Sequence, residues 1–146
     1  MKKILLFLLL IPLLCNAQTS IQGVVNIYVK VTYVGGNYAV VTSTSGFMIN
    51  DITMPIQMKG AIVDTNNASS FGSVQAYNYA GDYEFLRIRC ISNDTIYFSS
   101  TIVQKYDVNS SVQLVRVPEY TNATVIDTLK GQKWNGVCRQ KKVYQC

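Results

Sequence analysis

The sequence predicts an all-β protein: a single antiparallel β-sandwich of Greek-key or immunoglobulin-like type, with a small β-barrel as the alternative. One observation is composition, since positions 18–146 contain 17 Val, 11 Ile and 10 Tyr against 3 Leu, 6 Ala and 2 Glu. β-Branched and aromatic residues favour strands, whereas the good helix formers are scarce. The other observation is the alternation of apolar and polar residues in short segments that are separated by turn residues.

The first predicted element is a long strand at Ile21–Tyr33, because apolar residues occupy its odd positions. Gly35 and Gly36 then predict a two-residue hairpin turn with positive φ values. That turn would set two pairs of residues opposite each other, Tyr33 with Tyr38 and Val31 with Val40. Seven further strands are predicted, at Ile56–Val63, Val74–Ala80, Tyr83–Ile91, Thr95–Val103, Ser111–Val117, Thr124–Leu129 and Val137–Tyr144. The segment Ser92–Asp94 predicts a second hairpin turn.

The first 17 residues have the three-part layout of a secretory signal peptide. Lys2 and Lys3 precede an apolar run, and the segment ends at Ala17. Cleavage there would leave residues 18–146 as one domain, and the signal resembles those of Gram-negative bacteria, which predicts a secreted, periplasmic or cell-surface protein. A lipoprotein anchored at Cys15 is the alternative. No later segment is long and apolar enough to predict a transmembrane helix.

Histidine is missing from the whole sequence. Its absence excludes Ser/His/Asp and Cys/His nucleophiles within the chain, and also zinc sites that use histidine. The closest acidic pair, Asp82 and Glu84, would lie about 6.6 Å apart on one strand face, within reach of glycosidase geometry. The simpler interpretation is a turn that leads into a strand. We therefore expect no catalytic residue, metal ion or cofactor, with a small secreted carboxylate-dependent hydrolase as an alternative.

Three cysteines remain after the predicted signal peptide, an odd number for an oxidising compartment. Cys90 alternates in phase with Leu86 and Ile88, which predicts a buried core thiol. Cys138 and Cys146 are predicted to form a disulfide, provided that the chain reverses direction between them.

Positive charge is concentrated at the C-terminus, where residues 130–146 contain five basic side chains and no acidic one. Four of these are candidates for contact with a polyanion: Lys133, Arg139, Lys141 and Lys142. Export disfavours nucleic acid as that partner. The simpler interpretation is a terminal strand against the acidic body of the domain, with Trp134 as an apolar plug.

Tyr77 and Tyr79 are predicted to share one strand face. Exposed aromatic rings beside amide and hydroxyl groups can stack on sugar rings. The sequence thus favours an exported, non-catalytic structural or binding module whose partner is a glycan or an envelope component. The more specific alternative is a carbohydrate-recognition module that uses Tyr77, Tyr79 and Trp134. The sequence does not indicate an oligomeric state.

Overall fold

A computed structural model describes residues 18–133, and these residues form strands and loops with no α-helix. The strands are β1 Thr19–Gly23, β2 Ile27–Val34, β3 Tyr38–Val41, β4 Ile52–Gln57, β5 Ile62–Val63, β6 Val74–Ala76, β7 Leu86–Ser92, β8 Thr95–Phe98, β9 Val112–Val117 and β10 Ala123–Leu129. A 3-10 turn at Val108–Ser110 precedes β9. The all-β prediction is confirmed.

Six of the strands close into an antiparallel barrel in the order β2-β3-β8-β7-β4-β9. Closure depends on β9, which pairs with β2 along one edge and with β4 along the other. Two small sheets lie outside this barrel: β1 pairs in parallel with β10, and β5 pairs with β6. Of the two architectures that the sequence predicts, these six strands form the barrel.

The barrel interior is the main hydrophobic core. Its fully buried side chains come from β2, β3, β7, β8 and β9, and include Val31, Ile88, Ile96, Phe98 and Leu114. Burying each such side chain stabilises the fold by about 1.5–3 kcal/mol. A second apolar cluster is formed by Met54 and Ile56 of β4 and by Val115 and Val117 of β9. Consecutive residues are buried along β4 and β9, so both faces of these two strands are covered.

Burial on both faces explains why β4 was predicted in the wrong place. A strand without an exposed face shows no alternation, and Pro55 argues against a central strand because it cannot donate to the ladder. The predicted strand Ile56–Val63 instead covers the end of β4, a turn and β5. Pro55 is tolerated because β4 pairs with β7 only at Ile52 and Thr53, before the isolated bridge at Ile56.

The predicted strand Ile21–Tyr33 is also wrong, because the chain leaves the sheet inside it. Gly23 ends β1 with a φ of 64°, a left-handed conformation that glycine adopts without strain. β2 begins only at Ile27, and the Asn26 side chain donates to the Arg116 carbonyl oxygen of β9 at 3.1 Å. The alternation of apolar and polar residues thus runs through the connection between β1 and β2, although these two strands belong to different sheets.

The register predicted for the first hairpin is wrong as well. Three residues, 35–37, connect β2 to β3, and Val34 pairs with Ala39 while Tyr33 pairs with Val40. Neither Gly35 nor Gly36 has a positive φ. Gly35 is required for another reason: a Cβ atom there would collide with the ring of Tyr38.

The other predicted strands fit better. The predictions for β9 and β10 agree within one residue, and the turn at 93–94 joins β7 to β8 as expected. The predictions for β6, β7 and β8 include loop residues at one end. The predicted strand Val137–Tyr144 lies outside the described residues.

Cys90 is not the core thiol that alternation predicts. A β-bulge between Ile88 and Cys90 shifts the register of β7 against β8. Ile91 therefore packs against the core, and Cys90 is half-buried and free.

Candidate functional site

Three tyrosines form a row across the outer surface of β2, β3 and β8. We call Tyr33, Tyr38 and Tyr97 the tyrosine row. The ring centroids of Tyr33 and Tyr38 are 5.9 Å apart, and those of Tyr38 and Tyr97 are 5.6 Å apart. The interplanar angles of 31° and 38° keep neighbouring rings closer to parallel than to perpendicular. The result is a continuous aromatic strip that runs across the strands.

Strand register explains how these rings meet. Tyr38 and Tyr97 are paired directly on β3 and β8, while the adjacent Ala39 and Ile96 are buried in the core. Tyr33 reaches the same surface because the β2–β3 register shifts between Val31 and Tyr33. Without that bulge, the phase of Val29 and Val31 would direct Tyr33 into the barrel.

The row is accessible and polar at its hydroxyl groups. Tyr33 is 53% exposed, and Tyr38 and Tyr97 are half-buried. The charge of a deprotonated Tyr33, followed by partial burial, raises the pKa of Tyr38. Tyr38 therefore keeps its proton at neutral pH and can donate a hydrogen bond to a ligand.

The sequence predicts this site only in part. The hairpin turn predicts Tyr33 beside Tyr38, but through the wrong register, and the alternation predicts Tyr33 on the buried face. The two hairpin turns were the available signals. They place Tyr38 next to β2 and Tyr97 next to β7, whereas the β3–β8 pairing that joins the two hairpins has no sequence signal.

Tyr77 and Tyr79 do not share a strand face, although both are exposed. They follow β6 in a turn in which the Ala80 N–H donates to the Tyr77 carbonyl oxygen at 2.9 Å. Tyr79 has a φ of 63°, which breaks any alternation. Their exposed fractions are 69% and 45%. Neither ring takes part in the aromatic contacts recorded between residues 18 and 133.

The carboxylate of Glu84 is occupied by backbone groups of a loop. Its two oxygens accept hydrogen bonds from the N–H groups of Val103 and Gln104, at 3.1 and 3.0 Å. The single hydroxyl proton of Tyr106 is shared between the Glu84 carboxylate, at 3.3 Å, and the Pro55 carbonyl oxygen, at 3.4 Å. Burial, and then the charge of Glu84, raises the pKa of Tyr106. These contacts give Glu84 a structural role in fixing the loop after β8, next to the half-buried Asp82.

A groove of about 260 Å³ lies where β4 meets β7, and it is lined by Ile52, Phe85, Leu86, Arg87 and Ser100. The guanidinium group of Arg87 is already engaged. It donates to the Asn50 carbonyl oxygen at 2.7 Å and pairs with Glu119 at 3.1 Å. The groove therefore offers a ligand mainly apolar contact.

Of the candidate residues in the C-terminal tail, the structure describes Lys133 alone. Lys133 is the last described residue and is exposed. The predicted disulfide Cys138–Cys146 lies outside the described residues, as do Trp134, Arg139, Lys141 and Lys142.

Within residues 18–133, no group of three or more potential ligand side chains is placed to hold a metal ion. The same residues contain no helix of the length and apolarity needed to cross a membrane.

Comparisons with known proteins identify no family: no protein-family model and no curated protein matches the chain. The solved structures that match include the gp54 tailspike of Acinetobacter baumannii bacteriophage AP22, determined in complex with an A. baumannii capsular saccharide. It aligns with a TM-score of 0.46 and 13% identity over 68% of this chain and 16% of the tailspike. The tailspike protein gp49 from Pseudomonas phage LKA1 aligns with a TM-score of 0.39 and 16% identity over 77% of this chain and 20% of the tailspike. The chain thus spans a fifth or less of the length of these two proteins.

Proposed function

We propose that this protein is an exported, non-catalytic β-domain that binds glycans through the tyrosine row. The observation that carries the proposal is the contact of three tyrosine rings across three adjacent strands at spacings below 6 Å. Aromatic faces meet the C–H faces of sugar rings, while phenol hydroxyls bond the sugar hydroxyls. A strip of three rings offers contact to more than one sugar unit of a chain.

The strands beneath the tyrosine row favour a binding surface that is preformed. Tyr38 and Tyr97 belong to paired strands of a closed barrel, and the Tyr38 ring packs over Gly35 in the hairpin turn. Fixed rings lose little conformational entropy on binding. The Tyr77–Tyr79 turn has exposed rings without mutual contact, so it is the weaker candidate for the same role.

The proposal of a non-catalytic role rests on the lack of histidine and on the contacts of Glu84. A carboxylate that accepts two backbone N–H bonds is poorly suited to proton transfer.

The proposal of export rests on the signal-like segment at Met1–Ala17. Intact mass of the protein from its native cells should begin at Gln18, and a soluble cytoplasmic form that retains Met1 would contradict export.

Binding is tested by affinity electrophoresis and calorimetry of the purified protein against a panel of polysaccharides. Tyr33→Ala and Tyr97→Ala should each weaken binding about tenfold, as expected when one well-placed ring is removed. Tyr120→Ala, which removes an exposed tyrosine elsewhere, is the matched control and should bind normally. A constant amount of reducing ends during incubation would agree with a non-catalytic role.

Two outcomes contradict the proposal. One is loss of binding in Tyr77→Ala and Tyr79→Ala with full binding in the variants of the row, which would move the site to the turn after β6. The other is binding to no glycan of the panel, which would favour a structural module.

A further inference from the structure

We infer that the glycan bound by the tyrosine row is acidic, and that Arg89 binds its carboxylate group. This inference rests on the proposed function and goes beyond it by naming the class of ligand and a residue that selects it. Three observations carry it: the charge of the four strands around the row, the place of Arg89 at a β-bulge, and its lack of a described ion-pair partner.

The strands that form the surface around the row carry basic side chains only. Strands β2, β3, β7 and β8 contain three basic residues, Lys30, Arg87 and Arg89, and no aspartate or glutamate. Clustered charge of one sign attracts ligands of the other sign. A carboxylate ligand would therefore meet no like charge on these strands.

Two of these cations are not compensated within the described residues. Arg87 pairs with Glu119 at 3.1 Å. The second ion pair of residues 18–133 joins Arg116 of β9 to Asp51. Lys30 and Arg89 thus have no acidic partner among the side chains that the structure describes, and both are exposed. Their charges remain available to a ligand.

The bulge in β7 places Arg89 next to the row. Ile88 pairs with Phe98 and Cys90 pairs with Tyr97, so Arg89 is the extra residue between two pairs. A bulge re-aims the side chain at its extra residue. Cys90 is the β7 residue that pairs directly with Tyr97, and Arg89 is its exposed neighbour in the chain. Because neighbouring strands lie about 4.8 Å apart, the backbone of Arg89 lies one strand away from the end of the row.

Arginine at this position suits a carboxylate better than a hydroxyl. Its planar guanidinium group donates two parallel hydrogen bonds to a carboxylate, and such charge-assisted bonds are stronger than neutral ones. A sugar acid that stacks on Tyr97 would bring its carboxylate within reach of Arg89. A neutral sugar would gain the stacking contacts but not this pair.

The test uses two polymers with the same sugar backbone, polygalacturonate and its methyl ester, in which esterification removes the negative charge of the carboxylate. The purified protein should bind polygalacturonate at least tenfold more tightly than the ester, and added salt should reduce this preference. Arg89→Gln should weaken polygalacturonate binding about tenfold and leave ester binding unchanged. Lys105→Gln removes an exposed positive charge in the loop after β8, and it should leave the affinities for both polymers unchanged. Arg89→Lys keeps the positive charge but loses the planar guanidinium group. Its affinity for polygalacturonate should therefore lie between those of the unaltered protein and Arg89→Gln.

The inference and the proposed function fail in different ways. Equal affinity for the two polymers, or an unchanged preference in Arg89→Gln, would overturn the inference while binding through the tyrosines persists. If Tyr33→Ala and Tyr97→Ala both bind the two polymers as tightly as the unaltered protein does, the proposed function itself is overturned. Double-stranded DNA serves as an acidic polymer without sugar acids, and binding to it as tight as to polygalacturonate would show general polyanion attraction and overturn the inference.

Discussion

Gln57 is predicted to hold two loops onto the end of the barrel, and replacing it with methionine tests that role. Its side chain is fully buried. The amide nitrogen donates to the carbonyl oxygens of Lys59 and Asn78, each at 2.8 Å, and the amide oxygen accepts from the Asp107 N–H at 2.8 Å. Methionine has a similar shape but replaces none of these hydrogen bonds.

The cost follows from the three partners that Gln57→Met leaves unpaired. An unsatisfied buried group costs about 1–3 kcal/mol. Lys59 and Asn78 are exposed residues, so water can reach their carbonyl oxygens and the lower figure applies. We expect a loss of about 3 kcal/mol in the free energy of unfolding, and a fall of roughly 10 °C in the melting temperature.

Urea denaturation followed by far-UV circular dichroism measures this loss directly. Gln75→Met, which makes the same change at an exposed position of β6, is the matched control and should shift stability by less than about 0.5 kcal/mol. A loss below about 1 kcal/mol in Gln57→Met would refute the reasoning, since it would mean that the three hydrogen bonds are replaced without cost.

Three further predictions concern the turn of the first hairpin and two anchored loops. Gly35→Ala should displace the Tyr38 ring, reduce glycan binding and cost about 1 kcal/mol of stability by equilibrium unfolding, whereas Gly36→Ala, where a Cβ meets nothing within 4 Å, should bind normally. Glu84→Gln removes one acceptor from the loop after β8, so hydrogen exchange at Val103 and Gln104 should become faster; unchanged exchange would contradict the anchoring role. Hydrogen bonds, first from Ser110 and then from the Asn109 N–H, lower the pKa of Asp107. Its stabilisation is therefore complete above the unfolded pKa near 4 and is lost as the pH falls through the lower folded value. The unfolding free energy of Asp107→Asn should depend less on pH below 4, and an equal dependence would refute this assignment.

Bulges explain most of what the sequence did not reveal. Period-2 alternation identifies strands, but one extra residue reverses the faces of everything beyond it. Tyr33 was assigned to the interior because the register shift after Val31 has no compositional signature. Cys90 was assigned to the core for the same reason, and in both cases the next residue, Val34 or Ile91, packs against the core instead.

Long-range pairing was equally hidden. The turns at 35–37 and 93–94 are local and have a signal in the sequence, whereas β9 closes the barrel by pairing with β2 and β4, two strands that are far from it in the sequence. Tyr79 shows a third limit. A left-handed conformation at a tyrosine is uncommon. It occurs here directly after Asn78, whose carbonyl oxygen accepts a hydrogen bond from the distant Gln57 side chain. The candidate site became visible only once β3 and β8 were paired.

The central claim is that the tyrosine row binds glycans, and its most direct test is the affinity of the double variant Tyr33→Ala/Tyr97→Ala for the polysaccharide that the unaltered protein binds best. The variant should keep its strand-rich circular dichroism spectrum, because both rings lie outside the core. We expect its affinity to fall about a hundredfold if the two losses add. Affinity within twofold of the unaltered protein, with the fold intact, would contradict the account.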